Sequence, residues 1–429
     1  MNNIKKRILR KIEKKRDWTI RLCQKLVQTP SIDRETDPSS TTTKVCDIIS
    51  AILDENNISY EIVEPLTGHP NLIASIGKPG GKRIILNGHL DHFGLMPREE
   101  WQLDPFSGKI KDGCIFGRGS TDMKGGISSL VTAFLVLSEL EEYLKGEIVL
   151  TLFSDEETGA RYGAEYIVDN CPQVIGDVVL NAEPSGLDNI RFAERGATRP
   201  TITVRGVSGH GGSPWRGKSA ISQLIDFLQS AQDALHGREV TPPEDIVELL
   251  KEASPAIIKA YGPEGPDYLK RITFNIGIIR GGRKDSIVAD EAEALVDIRT
   301  PLGFSHHDVL AELKQIAAGY DNIDLAVRHS RNPNYSDPFH PAFSILQENV
   351  QDIIGVLPVA ACCLGGTDLR FFRLRGVPGF VYGPQPNNMA KANEYVRIDD
   401  LIVVSKVHAL TAYDFLSKIG VKGINNPVS

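Results

Sequence analysis

Four short segments place a histidine or carboxylates at the ends of apolar runs or in a glycine-rich loop. They are LNGHLDHF with His89 and Asp91, GRGSTDMKGG with Asp122, FSDEETG with Glu156 and Glu157, and LNAEPSG with Glu183. A mixed imidazole and carboxylate set suits zinc, manganese or cobalt rather than a structural zinc site held by thiolates. Such an ion lowers the pKa of a bound water, and a free carboxylate beside it can act as general base. Together the segments predict a metal-dependent hydrolase.

Each segment taken alone also has an ordinary structural explanation. Asp122 stands before a predicted helix and fits an N-cap, while His89 with Asp91 fits a core histidine capped by a turn aspartate. The adjacent pair Glu156 and Glu157 is harder to explain, because neighbouring carboxylates at the end of a buried strand repel each other unless a cation or a proton relieves them. The joint occurrence of the four segments therefore carries the prediction.

The elements around these segments alternate between short apolar runs and helical patterns. Residues 83–90, 146–154 and 177–183 are typical of buried strands, and residues 125–140 of a helix. Strands separated by helices predict an α/β fold with a mostly parallel sheet sandwiched by helices. The polar residues then lie at the carboxyl ends of the strands, where an open α/β sheet places its site.

The middle of the sequence has a different pattern. Residues 198–207, 274–282 and 291–299 alternate between apolar and polar side chains, which is typical of antiparallel strands. Helical stretches accompany them. We therefore predict an inserted α+β domain at residues 195–332, and a catalytic metal-binding domain formed by residues 1–194 and 333–429.

Composition limits the partners and the compartment. With 429 residues, the chain is long enough for two domains that each bury a core. Its net charge of -7 argues against nucleic acid as a partner, because it does not neutralise the negative charge of a phosphate backbone. The apolar runs are too short to span a membrane, and no signal peptide is recognised. Six cysteines without CxxC spacing favour a reducing cytoplasm. The basic segment at residues 5–16 fits the solvated face of an amphipathic helix, with a targeting arm as the alternative.

These motifs, in this order and over nearly the whole chain, resemble the family of acetylornithine deacetylase, succinyl-diaminopimelate desuccinylase, aminoacylase-1 and the carboxypeptidase G enzymes. The resemblance implies a zinc-exopeptidase-like catalytic domain and an inserted lid and dimerisation domain. It also implies roles for the site residues: His89, Asp122 and Glu183 hold a first metal, Asp122 bridges to a second metal bound by Glu157, Glu156 is the general base, and Asp91 orients His89.

Further motifs implied by the resemblance concern the substrate and a partner subunit. VSGHGGSP resembles the histidine motif of the lid, so that His210 would polarise the substrate carbonyl in the site of a partner subunit; a turn histidine between glycines is the alternative. GGTDLRFF resembles a substrate loop, which makes Gly366, Thr367 and Arg370 candidates for binding an anionic group. Arg299 resembles a lid arginine with similar duty, with an ion pair inside the lid sheet as the alternative. A homodimer or higher oligomer through the lid is implied.

The sequence departs from the family pattern at two places. The last motif of the family runs His-x-x-Asn-Glu, whereas Ala390 precedes Asn393 and Glu394 here, and the nearby His408 fits a structural role inside a helix. Only Asp122 and Glu157 would then remain for the second metal, and two carboxylates make a poor site. We expect one tightly bound zinc, manganese or cobalt ion per chain, with the second weak or absent. In the lid, Ser286 replaces the usual asparagine, so substrate contacts should differ.

The leading functional hypothesis is hydrolysis of a C–N bond by a metal-activated water, with Glu156 as general base. The substrate would be the amide of an N-acyl amino acid or a related small molecule with a carboxylate. Hydrolytic deamination of an aromatic amine such as an aminobenzoate, and cleavage of dipeptides or of a carboxyl-terminal residue, are the alternatives among enzymes. From another class, the chain would be a catalytically inactive binding homologue, although retention of Glu156 argues against this.

Overall fold

The computed structural model describes residues 2–418. The strands are β1 (Tyr60–Val63), β2 (Asn71–Gly77), β3 (Arg83–His89), β4 (Lys109–Lys111), β5 (Cys114–Phe116), β6 (Glu147–Phe153), β7 (Val178–Asn181), β8 (Asn189–Glu194), β9 (Gly196–Arg205), β10 (Thr273–Gly281), β11 (Glu291–Thr300), β12 (Ile323–Arg331), β13 (Asn334–Tyr335), β14 (Val359–Cys363), β15 (Gly379–Val381) and β16 (Tyr395–Arg397). The helices are α1 (Asn3–Lys14), α2 (Arg16–Val27), α3 (Thr43–Glu55), α4 (Gly125–Ser138), α5 (Ala164–Asn170), α6 (Ala220–Leu235), α7 (Val247–Glu252), α8 (Ser254–Tyr261), α9 (Gly265–Tyr268), α10 (His306–Ala317), α11 (Pro341–Ile354), α12 (Leu369–Leu374) and α13 (Ile398–Lys418).

The chain divides into two compact units. The first comprises the chain up to Phe192, Ser336–Ala360 and the chain from Thr367 onwards, and the second comprises Ala193–Tyr335 and Ala361–Gly366. The inserted domain that the sequence predicts, residues 195–332, falls within the second unit, which also takes in the short return segment that ends at Gly366. The last part of the predicted catalytic domain, residues 419–429, lies outside the described residues.

The first unit is built on a mixed sheet whose strands run in the order β1-β2-β6-β3-β7-β15-β8. Strands β6, β3, β7 and β15 run parallel to one another, whereas β1, β2 and β8 pair antiparallel at the two sides. Strands β3, β6 and β7 are buried along almost their whole length, as expected when helices cover both faces of a sheet. The predicted α/β fold is confirmed, with the parallel pairing concentrated in the centre of the sheet.

The helices of the first unit follow from the distribution of apolar residues in its sequence. Helix α4 is buried from Gly125 to Leu137, which fits its apolar composition, and it packs on α13 and α2. Helix α1 is amphipathic: Ile8 and Ile12 are buried together with Lys5, which pairs with Asp414, and its other basic residues are not buried. Within residues 2–418, no helix combines the length and apolar character that crossing a bilayer requires.

The second unit has its own sheet and core. Its strands run antiparallel in the order β10-β11-β9-β12, and helices α6 and α10 cover the sheet with side chains such as Leu224, Phe227 and Leu313. Strand β10 lies at the edge and is mostly exposed, including the apolar side chains Ile276, Ile278 and Ile279. The alternating patterns of the sequence are therefore antiparallel strands, as predicted.

His408 lies in α13, where it is completely buried and donates from Nε2 to the carbonyl oxygen of Tyr382 at 2.7 Å. Burial disfavours the charged imidazole and lowers the pKa of His408 from 6.5 to about 4, against the smaller opposite effect of this hydrogen bond. The histidine is thus a structural residue of the helix, in agreement with the sequence.

The depressed pKa of His408 predicts a pH-dependent stability. As the pH falls, His408 is protonated in the unfolded chain, near pH 6.5, before it is protonated in the folded chain, near pH 4. Its contribution to the free energy of unfolding is therefore fully present above about pH 6.5 and is lost as the pH falls toward 4. At pH 5 this loss is about 2 kcal/mol. Urea unfolding at pH 7 and pH 5 should therefore show a smaller decrease for His408→Gln than for the wild type. Equal decreases in the two proteins would contradict the assignment.

Candidate metal centre

Three neighbouring parallel strands end at one edge of the sheet of the first unit. Strand β3 lies between β6 and β7 and ends at His89. Glu156 and Glu157 follow the end of β6, and Glu183 follows the end of β7. Because parallel strands present their carboxyl ends at the same edge, residues far apart in the sequence meet there.

Asp122 reaches this edge from the loop Ser120–Lys124, which precedes α4 and contains a cis peptide bond between Asp122 and Met123. Oδ1 of Asp122 lies 3.2 Å from Nε2 of His89. The loop is held by Glu394, whose Oε1 accepts the backbone N–H groups of Thr121 at 3.0 Å and Asp122 at 3.2 Å. The last motif of the sequence thus anchors the loop that carries Asp122.

Glu394 is itself paired with a buried cation. Nη1 of Arg118 donates to Oε2 of Glu394 at 2.6 Å, and both side chains are 1% exposed. Burial raises the pKa of Glu394 to about 7, although the guanidinium of Arg118 works in the opposite direction. Arg118 also lies over the ring of Trp101. The Arg118–Glu394 pair therefore forms a rigid, desolvated support beneath the loop of Asp122.

Asp91 connects His89 to the two glutamates after β6. Its Oδ1 lies 3.4 Å from Nδ1 of His89, and its carboxylate accepts the backbone N–H groups of Glu156 at 3.2 Å and Glu157 at 3.0 Å. A carboxylate in this place fixes the ring orientation of a histidine whose other nitrogen can bind a metal. The geometry fits the orienting role expected of Asp91.

A chain of side-chain hydrogen bonds crosses the three strands below the site. Asn181 donates to Asn87 at 2.8 Å, Asn87 donates to Oγ1 of Thr151 at 3.2 Å, and Oδ1 of Asn181 accepts the backbone N–H of Glu183 at 2.7 Å. We call Thr151, Asn87 and Asn181 the amide ladder. Gly126 lets α4 approach the same region, since a Cβ there would stand 2.3 Å from the carbonyl oxygen of Ala182.

The site concentrates negative charge in a desolvated place. Burial raises the pKa of Glu157 and of Glu183 well above the usual range, and the surrounding carboxylates add to the effect. Burial alone would lower the pKa of His89, but hydrogen bonds and charges from Asp122 and Asp91 outweigh it and raise that pKa well above its usual value. A cation in the site would relieve the repulsion among the carboxylates.

The donor set fits a divalent metal ion. One ligand atom from each of His89, Glu156 and Glu157 lies within 4.8 Å of the others. Oε1 of Glu157 and Oε1 of Glu183 are buried, and neither has a hydrogen-bond partner among residues 2–418. Buried carboxylate oxygens are rarely left unpaired, so these two atoms point to a ligand. The structure brings together all six residues that the sequence proposed for this centre; their individual roles remain predictions.

The side of the site that would hold a second metal is built differently. Ala390, at the position of the family's last histidine, has a left-handed backbone (φ 61°), and its carbonyl accepts from Nη2 of Arg118 at 3.3 Å. The loop is tied down by Asn393, which donates to the carbonyl of Glu100 at 2.9 Å. Lys391 is exposed. Its ammonium therefore does not supply a buried positive charge there.

The predicted substrate loop is divided between the two units. Thr367 and Arg370 are buried in the first unit, where Nη1 of Arg370 lies 3.4 Å from Oε1 of Glu156. Gly366 belongs to the second unit, and the guanidinium of Arg331 occupies the space that a side chain at Gly366 would need. Asp368, which lies between Thr367 and Arg370 in the sequence, is completely buried.

His210 and Arg299 belong to the second unit. His210 is exposed on a loop, and its Nδ1 accepts the backbone N–H of Gly212 at 3.0 Å. Arg299 lies in β11 and donates to both carboxylate oxygens of Asp297, at 2.8 and 2.9 Å. The contacts of Arg299 match the ion pair within the lid sheet, the alternative that the sequence left open.

Sequence motifs alone missed the roles of Arg118, Glu394 and Asp368. All three are charged residues inside or beside segments that were already of interest, and all are completely or almost completely buried. A charge flanked by glycines or apolar residues has to find a partner once the segment is buried. That signal was present for Arg118, which has a glycine on each side, but its partner Glu394 could not be named without the fold.

Comparisons with known proteins found a family model, curated relatives and solved structures that are similar to this chain. The family model described as Peptidase family M20/M25/M40 matches residues 85–414. A protein named "Probable succinyl-diaminopimelate desuccinylase" from Staphylococcus epidermidis is 27% identical over 369 residues, which cover 83% of this chain and 89% of the relative. The fold is similar to two solved structures. With the di-peptidase Dug1p from Saccharomyces cerevisiae, the TM-score is 0.80 at 17% identity, and the match covers 97% of this chain and 99% of that chain. In the second, the metallo-carboxypeptidase Sso-CP2 from Sulfolobus solfataricus, the TM-score is 0.78 at 19% identity, with 92% and 99% covered.

The support of Asp122 by Glu394 predicts a loss of metal affinity in Glu394→Gln. The amide cannot neutralise Arg118, and its single oxygen can accept either from the backbone N–H groups of the loop or from the guanidinium of Arg118, but not from both. Affinity for Zn²⁺ should fall about 10- to 100-fold, measured by competition with a chromophoric chelator. Glu147→Gln is the control, since Glu147 pairs with Arg83 at 2.7 Å at the opposite end of β6. Equal affinities in both variants would contradict the role of Glu394.

Proposed function

The chain belongs to peptidase family M20/M25/M40, and from this membership we propose that it hydrolyses the amide bond of an N-acyl amino acid or a related small carboxylate. As a member of that family it is a metal-dependent hydrolase acting on C–N bonds. The observation that carries the proposal is the cluster of His89 with buried carboxylates, two of whose oxygens lack a partner within the described residues.

His89, Asp122 and Glu183 are the residues that we propose to hold the metal. When bound, a divalent ion supplies a Lewis acid and lowers the pKa of water toward neutrality. Glu156 accepts the proton of the attacking water and passes it to the leaving nitrogen as the C–N bond breaks. Its side chain is 10% exposed, which leaves one opening toward a substrate. Asp91 holds the ring of His89 and the backbone of Glu156 in place.

We propose one tightly bound ion per chain. Asp122 and Glu157 are the carboxylates on the second side, and no histidine stands in the loop from Gln385 to Glu394 to complete a set. Zinc, manganese and cobalt all suit these ligands. Hydrolytic deamination of an aromatic amine is the second candidate function, because Ala390 leaves a site that suits chemistry at a single ion.

The substrate is proposed to carry a carboxylate, as the name of the desuccinylase relative suggests. Thr367 and Gly366 are the candidates to bind it, with His210 of a partner subunit polarising the carbonyl. Arg299 is a weaker candidate, because its guanidinium is paired with Asp297. Ser286 offers a hydroxyl where the family often has an amide, so the contacts to the substrate should differ from those of the classical amino-acid deacylases. We place the reaction in the cytoplasm, which suits six buried cysteines without CxxC spacing.

We propose that a second copy of the chain pairs with the edge of the second unit. Within residues 2–418, β11 is the only strand that pairs with β10, so the other side of β10 is an edge of the sheet, and Ile279 on this strand is 53% exposed. An exposed apolar edge strand is a template for pairing with another chain. A homodimer built in this way covers the edge.

The general-base role predicts the effect of Glu156→Gln. The amide cannot accept a proton, so kcat should fall about 10²- to 10⁴-fold while metal binding is retained. Metal-reconstituted protein would be assayed with N-succinyl and N-acetyl amino acids, dipeptides and aminobenzoates. Glu147→Gln should keep wild-type activity. If Glu156→Gln is as active as the wild type, the proposed base is wrong.

The ligand set predicts one ion per chain in the purified protein. Elemental analysis after dialysis should give one zinc, manganese or cobalt per chain, and Glu183→Gln should lower this value. Removal of the ion with a chelator should abolish activity, which the same metal restores. Two ions retained per chain would contradict the proposal for the second side.

The exposed edge predicts that Ile278→Asp is monomeric. A charge on β10 opposes pairing of the strand with a second copy. Light scattering coupled to size exclusion would report a mass near 94 kDa for the wild-type dimer, twice the 47.1 kDa chain, and half of it for the variant. Ile62→Asp, on the edge strand β1 of the first unit, should remain dimeric. A monomeric wild type would refute the proposal.

A further inference from the structure

We propose that Arg370 is a positioning residue that holds the carboxylate of Glu156, rather than a residue that binds the substrate. The inference rests on the proposed function, in which Glu156 is the general base. The sequence motifs make Arg370 a candidate for binding an anionic group of the substrate. In the fold, its guanidinium instead contacts Glu156 and two backbone carbonyls.

The guanidinium of Arg370 is engaged on several sides. Nη1 donates to the carbonyl oxygen of Thr367 at 2.6 Å and lies 3.4 Å from Oε1 of Glu156. Nη2 donates to the carbonyl oxygen of Gly159 at 3.0 Å. The side chain is 2% exposed. A guanidinium committed to two carbonyls and a carboxylate in a dry site has little left to offer a substrate anion.

These contacts fix the base through both its side chain and its backbone. Gly159 closes a turn with Glu156, since its N–H donates to the carbonyl oxygen of Glu156 at 2.9 Å. Arg370 therefore grips the carboxylate of Glu156 and the far end of the same turn. Its own position is set by α12 and by the ring of Phe371, whose centroid lies 4.5 Å from the guanidinium carbon. The rigid fork of an arginine suits such a clamp.

The charges around Glu156 explain why a clamp is needed. Asp368, two residues before Arg370, is completely buried, and its carboxylate oxygens have no hydrogen-bond partner among the residues that the structure describes. Asp91, Asp122, Glu157 and Asp368 are the acidic side chains that act electrostatically on Glu156 from around it. Without Arg370, the carboxylate of Glu156 would be pushed toward the open side of the site. A base displaced by about 1 Å can lose about 100-fold in rate.

Positioning and substrate binding predict different kinetics for Arg370→Ala. If Arg370 positions Glu156, kcat falls about 100-fold while KM stays within about threefold, because ground-state binding is untouched. If Arg370 binds the substrate anion, KM rises and kcat is largely kept. Added guanidinium ion should restore part of kcat in Arg370→Ala. The kcat of Arg370→Lys should lie between those of the wild type and Arg370→Ala. Metal content should be unchanged in both variants.

Arg373→Ala is the matched control on the same helix. Arg373 donates to the hydroxyl of Ser336 at 3.1 Å and to the carbonyl of Gly379 at 2.8 Å. Like Arg370, Arg373 lies on α12 and donates to a backbone carbonyl, so its loss should lower Tm without changing kcat. A similar loss of kcat in Arg373→Ala and Arg370→Ala would show a general effect on α12 and would overturn the inference.

Unfolding measurements test the contact independently of activity. The Tm losses of Arg370→Ala and Glu156→Gln should be non-additive in the double variant, because each side chain acts on the other. If Arg370→Ala does not fold, the same cycle and the kinetics are measured with Arg370→Lys. Additive losses, or an unchanged kcat with a raised KM, would overturn the inference. An active wild type with an equally active Glu156→Gln would instead refute the proposed function and leave the coupling to be judged from Tm alone.

Discussion

The repulsion among carboxylates buried at one edge of a sheet is the constraint on which the structure of the first unit depends. Asp91, Asp122, Glu156, Glu157 and Glu183 meet there with one imidazole, in surroundings too dry to screen their charges. Two carboxylates around the site that are not proposed as metal ligands receive donors from the chain. Asp91 receives two backbone N–H groups, and Glu394 receives two more and the guanidinium of Arg118. The oxygens of Glu157 and Glu183 that remain unpaired in the described chain are those that a cation would satisfy.

The sequence allowed the centre of the fold and the metal cluster to be predicted for a simple reason. Apolar strands separated by helices become parallel neighbours, and residues that end such strands must meet, whatever their distance in sequence. His89, Glu157 and Glu183 are of this kind. The neighbours of Arg370 were not predictable in the same way, because they depend on how a loop and a short helix pack against the turn after β6. The same holds for the segment that ends at Gly366, which returns to the second unit although the pattern placed it in the catalytic domain.

The replacement of the last histidine by Ala390 leaves the support of the remaining ligands intact. Arg118 and Glu394 still pair, and Glu394 still accepts from the loop of Asp122. The loop around Ala390 is closed by its own hydrogen bonds and by the contact of Asn393 with Glu100. A ligand on the second side and the anchoring of Asp122 are thus carried by different residues of one short motif. This separation would allow the number of metal ions to change while the loop of Asp122, a proposed ligand of the first ion, stays in place.

The amide ladder has a consequence for how the sheet assembles. Thr151, Asn87 and Asn181 are direct partners across β6, β3 and β7, so their hydrogen bonds form only when the three strands are aligned in this one register. A shift by one residue would turn each of these polar side chains to the opposite face and leave it unpaired among apolar neighbours. Apolar strands of similar composition have little else to distinguish one alignment from the next. The ladder therefore makes misaligned pairings costly during folding, and the strand ends that lead to His89, Glu156 and Glu183 arrive level with one another.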